Sequence, residues 1–195
     1  MSRRSKAKRR KKGMSWGEKI TIAIILIVVI WAAYSFSQSF SQPPPPSGMT
    51  TGSGAPDFTL PVVDANGLTG QKVSLSSFRG KVVLLEFMVP GCTHCQKMAP
   101  DLESLYQQYG SQNVVFLTVA GPWNGASAND AANFIKTYHS SWIYVYDSSN
   151  TIFTTYGVQA TPTFFIITKN GQIGTWHEGE VAAETIAADL TRFNT

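Results

Sequence analysis

Val82-Val83-Leu84-Leu85-Glu86-Phe87-Met88-Val89-Pro90-Gly91-Cys92-Thr93-His94-Cys95 is the stretch that decides the fold. Residues 81–89 read as a strand that, after Lys81, is apolar except for Glu86, the pattern of a central strand covered on both faces. Residues 96–109 carry helical spacing, with a predicted interruption or bend at Pro100, which has no backbone N–H to donate. The two cysteines, the only ones in 195 residues, therefore fall where a strand ends and a helix begins. There Cys92 meets unpaired N–H groups and the positive end of the helix dipole, which favour thiolate over thiol. A lone pair at this spacing can close into a small disulfide and reopen without disturbing the fold. A structural role is disfavoured, because so short a loop constrains little of the unfolded chain. A closed zinc site needs about four ligands, and beyond the two cysteines only His94, His139 and His177 are available as soft ligands. The pair reads as redox-active, with no cofactor or metal required.

Three further features gather around it. Glu86 sits six residues before Cys92 in an apolar strand, where burial disfavours its charge and raises its pKa. From there it can take or return the proton of Cys95. Ala160-Thr161-Pro162-Thr163 opens a later strand, and proline is tolerated at a strand's first positions. An X-Pro bond is also the usual place for a cis peptide, which would turn the backbone of Thr161 toward an incoming substrate strand. Thr93 and His94, between the cysteines, are candidates for tuning the thiolate and hence the potential. His139 and His177 read as surface residues. Trp123, Trp142, Tyr144 and Tyr146 read as packing.

The rest of residues 55–195 alternates strands and helices. Short strands at 58–60 and 73–75 flank the turn Asp64-Ala65-Asn66-Gly67, and a helical turn follows Ser76 and ends at Gly80. A strand is predicted at 114–119, a loop at 121–125 and a helix at 128–138. An extended stretch follows at 142–146, a helical turn at 152–156 and a strand at 163–168. Asn170-Gly171, the strongest hairpin signal, leads into a strand at 172–178 and a closing helix at 181–193. The sum is an α/β domain with a central mixed sheet flanked by helices.

The N-terminal third differs in kind. Nine of the sixteen basic residues and one of the twelve acids lie in residues 2–19, leaving seven bases against eleven acids elsewhere. The net charge of +4 thus belongs to a tail, and because that tail abuts an apolar segment it reads as a topology determinant rather than a nucleic-acid patch. Residues 20–36 carry no charge and are predicted to be a single transmembrane signal anchor, with Trp16, Trp31 and Tyr34 at the interfaces. Residues 1–19 would lie in the cytoplasm and everything after about Gln38 outside. A cleaved signal peptide is the competing reading. Residues 37–54, with Pro43-Pro44-Pro45-Pro46, form an extended linker to the domain at 55–195.

Several runs of residues 55–195 resemble the thioredoxin superfamily, and more closely membrane-anchored, extracytoplasmic thiol–disulfide oxidoreductases of the TlpA/ResA type. They are Ala55-Pro56-Asp57-Phe58-Thr59-Leu60, Val73-Ser74-Leu75-Ser76-Ser77-Phe78-Arg79-Gly80-Lys81, the Cys92–Cys95 motif and Thr161-Pro162-Thr163. The resemblance implies a thioredoxin-like fold with an N-terminal β-hairpin and an inserted helix at 128–138. It implies Cys92 as attacking thiolate, Cys95 as buried resolving thiol, Glu86 as the buried acid and Pro162 as a cis-proline beside the substrate. Expected partners are protein thiols or disulfides and a membrane or extracytoplasmic redox protein. Pro90-Gly91 stands where that family usually has an aromatic residue, and Thr93-His94 replaces the common Gly-Pro; a central His is a feature of the oxidising DsbA-like branch. The direction of electron flow therefore stays open. Two alternatives remain: a thiol peroxidase, although Val89 occupies the position where peroxiredoxins place Thr or Ser, and a copper-handling module using Cys92, Cys95 and His94.

Overall fold

The computed structural model describes residues 16–38 and 49–195. The basic tail before Trp16 and the Pro43–Pro46 linker lie outside the described residues. Two compact units divide near residue 44. The first contains α1 (Trp16–Gln38), a helix of 23 residues. Its described side chains between Ile20 and Trp31 are apolar and exposed. Among the described residues no helix is long and apolar enough to cross a membrane. Side chains at 18, 19, 21, 23 and 32–38 lie outside that description, so the expected span at 20–36 rests on the sequence, not on the structure.

The second unit is a seven-stranded mixed sheet. Its strands are β1 (Thr59–Asp64), β2 (Gly67–Ser74), β3 (Val82–Met88), β4 (Val114–Ala120), β5 (Ile143–Tyr146), β6 (Thr163–Ile167) and β7 (Ile173–Glu178). They lie in the order β2-β1-β5-β4-β3-β6-β7. β3, β4 and β5 are parallel neighbours. β1 joins β5, and β6 joins β3, antiparallel. The predicted hairpin at 58–75 is present, with longer arms, as the β1–β2 edge. β3 lies inside the sheet, and all seven of its residues are buried, as its near-continuous apolar run requires.

Strand alternation sends successive β3 side chains to opposite faces. Val83, Leu85 and Phe87 join a core with Leu117, Phe153, Tyr156 and Phe165. There Phe87 lies 5.1 Å, edge to face, from Phe153. Val82, Leu84 and Met88 join the other core, against α2 (Thr93–Tyr109), α3 (Ala128–Tyr138) and α5 (Ala183–Asn194). Glu86 shares the parity of Leu84 and Met88, so it points to the helix-covered face that also holds Cys95.

Two expectations change. The helix after the cysteines starts three residues early, at Thr93, and runs unbroken through Pro100 to Tyr109. Pro100 is exposed, while Met98, Ala99, Leu102 and Leu105 on the opposite face are buried in the core; that burial outweighs one missing hydrogen bond. Residues 49–54, read from sequence as linker, pack on the domain. Met49 is buried, the Gly52 N–H donates to the Ile173 carbonyl, and the Ile173 N–H donates to the Ser53 carbonyl. A Met, a Thr pair and glycines carry no periodic signal, so only tertiary pairing reveals their place. The short helix α4 (Thr151–Thr155) precedes the cis Thr161–Pro162 bond that leads into β6.

Candidate active site

Cys92 is the N-cap of α2, the residue whose side chain takes up a free helical N–H. Its Sγ accepts from the Cys95 N–H at 3.2 Å and donates to the Thr161 carbonyl at 3.2 Å. One sulfur thus bridges the helix start and the segment ahead of β6. The approach to it is braced: the Cys92 N–H donates to the Val89 carbonyl, and Gln96 Nε2 donates to the Pro90 carbonyl. Both cysteines are free thiols, Cys92 half-buried and Cys95 buried.

Cys95 lies on the first turn of α2, facing the sheet. Burial pushes its thiol up, and the Glu86 carboxylate pushes it further. Glu86 is 4% exposed. Burial raises its pKa from 4.5 to about 7, opposed by a hydrogen bond from Thr118. That bond, Thr118 Oγ1 to Glu86 Oε2, measures 2.7 Å, and Trp142 Nε1 donates to the same Thr118 oxygen at 2.8 Å. A carboxyl near neutrality beside a thiol that resists ionisation is suited to passing one proton to and fro.

The structure gathers Cys92, Cys95, Glu86, Thr161 and Pro162 at one end of the sheet. His94 turns away. It is exposed, and its Nδ1 pairs with Glu180 Oε1, which also receives Lys97 Nζ at 3.0 Å. The two donors hold the Glu180 carboxyl below its usual range. Thr93 is exposed beside it. Among the described residues no group of three or more His, Cys, Asp or Glu could hold a metal ion. Val89 is buried and offers no hydroxyl beside Cys92.

Two lone histidines read as surface residues diverge. His139 is exposed in a left-handed conformation at the end of α3. His177 on β7 is instead largely covered and pairs through Nε2 with Asp189 Oδ2 at 2.7 Å, since α5 lies over that strand. Sequence reasoning missed three residues. Thr118 is one polar position in an apolar strand; its parallel register with Glu86 is the signal that could have found it. Trp142 reads as packing in the sequence. Glu180 is distant in sequence from the helix it caps with charge. Alongside the Pro90-Gly91 approach runs an open groove of about 500 Å³, walled by Trp123, Phe134 and Tyr138.

Comparison with known proteins gives consistent matches. Residues 51–175 match the AhpC/TSA family. A protein of Bacillus thuringiensis subsp. konkukian called thiol-disulfide oxidoreductase ResA is 28% identical over 176 residues, 89% of this chain and 96% of that protein. The ResA of Bacillus subtilis is 29% identical over 155 residues, 79% of this chain and 80% of that protein. Among solved structures, a Chlorobium tepidum protein described as thiol:disulfide interchange protein DsbE superposes with TM-score 0.68 and 25% identity, covering 76% of this chain and all of its own. A Neisseria meningitidis protein described as a thioredoxin gives TM-score 0.62 at 28% identity, over 72% of this chain and 89% of its own.

Proposed function

The chain belongs to the AhpC/TSA family, and from that premise we propose how its cysteine pair works and where. It is a thiol–disulfide oxidoreductase with a thioredoxin-like fold, as its ResA and DsbE relatives are described, and such relatives imply protein thiols as substrates. The observation that carries the mechanism is the placement of Cys92 Sγ between the Cys95 N–H and the Thr161 carbonyl, with Glu86 acting on Cys95 from below.

In the reductive direction the Cys92 thiolate attacks one sulfur of a substrate disulfide. A Cys92–substrate bond forms as the substrate's own S–S bond breaks, and the departing sulfur takes up a proton. Cys95 then passes its proton to the Glu86 carboxylate and attacks Cys92 Sγ. The second substrate thiol leaves, and the two electrons of the dithiol have moved to the substrate, leaving a Cys92–Cys95 disulfide. Every step runs backward when the disulfide is the oxidant. Thr161 and Pro162, against Cys92, form the edge along which the substrate backbone lies, and the neighbouring groove leaves room for its flanking residues. No cofactor beyond the redox-active pair takes part.

The domain lies outside the cell membrane, held by residues 20–36 as an uncleaved single-pass anchor with its basic tail in the cytoplasm. The distribution of basic residues supports this. Its electrons come from, or go to, a membrane or extracytoplasmic redox protein.

In an insulin-reduction or thiol-oxidation assay, Cys92→Ser abolishes exchange, and Cys95→Ser accumulates mixed disulfides on a non-reducing gel. Retained exchange in Cys92→Ser overturns the mechanism. The reduction potential decides the direction: a value near −300 mV marks a reductant and one near −120 mV an oxidant.

A further inference from the structure

We propose that Thr118 and Trp142 are positioning residues for Glu86, a one-way hydrogen-bond chain that holds the carboxyl's proton on Oε1 and so confines its exchange to the Cys95 side. The inference rests on the reading of Glu86 as the proton partner of Cys95 and deepens it.

The direction of the chain follows from donor and acceptor chemistry. An indole N–H can only donate, so at 2.8 Å from Trp142 Nε1 the Thr118 oxygen is an acceptor. Its single hydroxyl hydrogen is left for another partner. Two oxygens face it: Glu86 Oε2, at 2.7 Å, and the hydroxyl of Tyr144, its partner across the β4–β5 pairing; of the two the carboxyl oxygen is the stronger acceptor. Leaving the hydroxyl unused here is costly: Thr118 is fully buried and Trp142 only 9% exposed. Oε2 is therefore the accepting oxygen whether or not Glu86 is protonated, and a proton on the carboxyl sits on Oε1. That oxygen makes no hydrogen bond among the described residues.

The chain also ends blind. Indole nitrogen has no lone pair with which to take a proton from Thr118, so no proton leaves by this route. The space beside the three residues, closed by Leu84, Leu102 and Phe116, has no room for water. The other groups around Glu86 offer no better route. From β5, Tyr144 is fully buried and donates its hydroxyl to Ser140, and both burial and the Glu86 charge disfavour its ionisation. β6 sets Phe164 opposite Glu86, and α5 brings the apolar Ile186 and Leu190 to the same core. From α2 comes Cys95, the ionisable group whose proton the reaction must move. Fixing the proton on Oε1 means the carboxyl need not rotate between accepting a proton from Cys95 and returning it.

The test follows the carboxyl itself in the full-length chain, reduced, by infrared difference titration; the Glu86 C=O band is the one absent from Glu86→Gln. Thr118→Val keeps the side-chain shape and removes the donor, so the Glu86 midpoint rises from about 7 by about one pH unit. The pH profile of mixed-disulfide resolution moves with it. Thr118→Ser restores both to wild type. In Trp142→Phe the hydroxyl is free to turn, Oε2 can also carry the proton, and the single C=O band splits into two. A wild-type midpoint in Thr118→Val, a failure of serine to rescue, or one unchanged band in Trp142→Phe overturns the proposal. Should Glu86→Gln resolve mixed disulfides at the wild-type rate, the proton-carrier reading falls by itself, while the midpoint and band shape still decide the positioning.

Discussion

Two buried carboxylates in one sheet, Glu86 on β3 and Asp147 just after β5, are treated in opposite ways. Asp147 is fully buried and accepts four hydrogen bonds. They come from the N–H groups of Thr151, Ile152 and Phe153 and from the Ser149 hydroxyl. The three N–H donors are the free groups at the start of α4, and binding them seats Phe153 in the core beside Phe87 and Tyr156. Glu86, almost as buried, is given one hydroxyl. A carboxylate that is fully bonded serves as a structural anchor. One that is left short of donors keeps a pKa near neutrality and can exchange a proton. The difference separates architecture from chemistry without reference to either residue's distance from the cysteines.

The comparison breaks most visibly at Asp147. Asp147→Ala strands three N–H groups at the head of α4 and should lower stability by about 4 kcal/mol, read from urea unfolding. Exchange per folded molecule should stay at the wild-type level. A loss of turnover in the folded fraction would mean that Asp147 also serves the chemistry.

Glu86→Gln should act the other way, with a pH dependence whose sign is fixed. Below about pH 4.5, the ordinary value, the carboxyl is neutral in both folded and unfolded chains. Between 4.5 and 7 the unfolded chain releases the proton first, so wild-type stability falls as pH rises. Above 7 the folded protein carries a buried charge that costs about 3 kcal/mol. Glutamine removes that slope. The variant should match wild type near pH 4 and exceed it by about 3 kcal/mol near pH 9, while resolution by Cys95 slows by about 100-fold. Parallel stability curves for the two proteins would show that Glu86 is not held neutral by the fold.

Much of the site is legible in the amino-acid sequence. The apolar run around Glu86, the cysteine spacing and Thr161-Pro162 are local patterns, and the fold brings all of them to one end of the sheet. Period-two alternation even places Glu86, since its parity follows Leu84 and Met88. Thr118 and Trp142 are not legible because their meaning is relational: a threonine in a strand and a tryptophan before another become a donor chain only through the β3–β4 register and the turn of one indole. Asp147 shows the same limit, its role depending on three amide groups that face it only once α4 has formed. The interruption expected at Pro100 fails in the opposite sense, because a local rule about proline is outweighed by the core packing of Leu102 and Leu105.

A third carboxylate, exposed at the surface, sets the lower end of the comparison. Glu180 holds both His94 and Lys97, with the His94 side chain 62% exposed and its own 42%. Charges in such a position are screened by water and salt, and the pair contributes little. For His94 to govern the potential, its ring would have to interact with the Cys92 thiolate more strongly than with the disulfide, yet the structure commits Nδ1 to Glu180. His94→Ala should therefore shift the Cys92–Cys95 reduction potential by less than about 30 mV, and Glu180→Gln should leave both potential and unfolding midpoint unchanged. A shift of about 60 mV or more in His94→Ala would place the ring on Cys92 during turnover and return the central dipeptide to the residues that set the direction of electron flow.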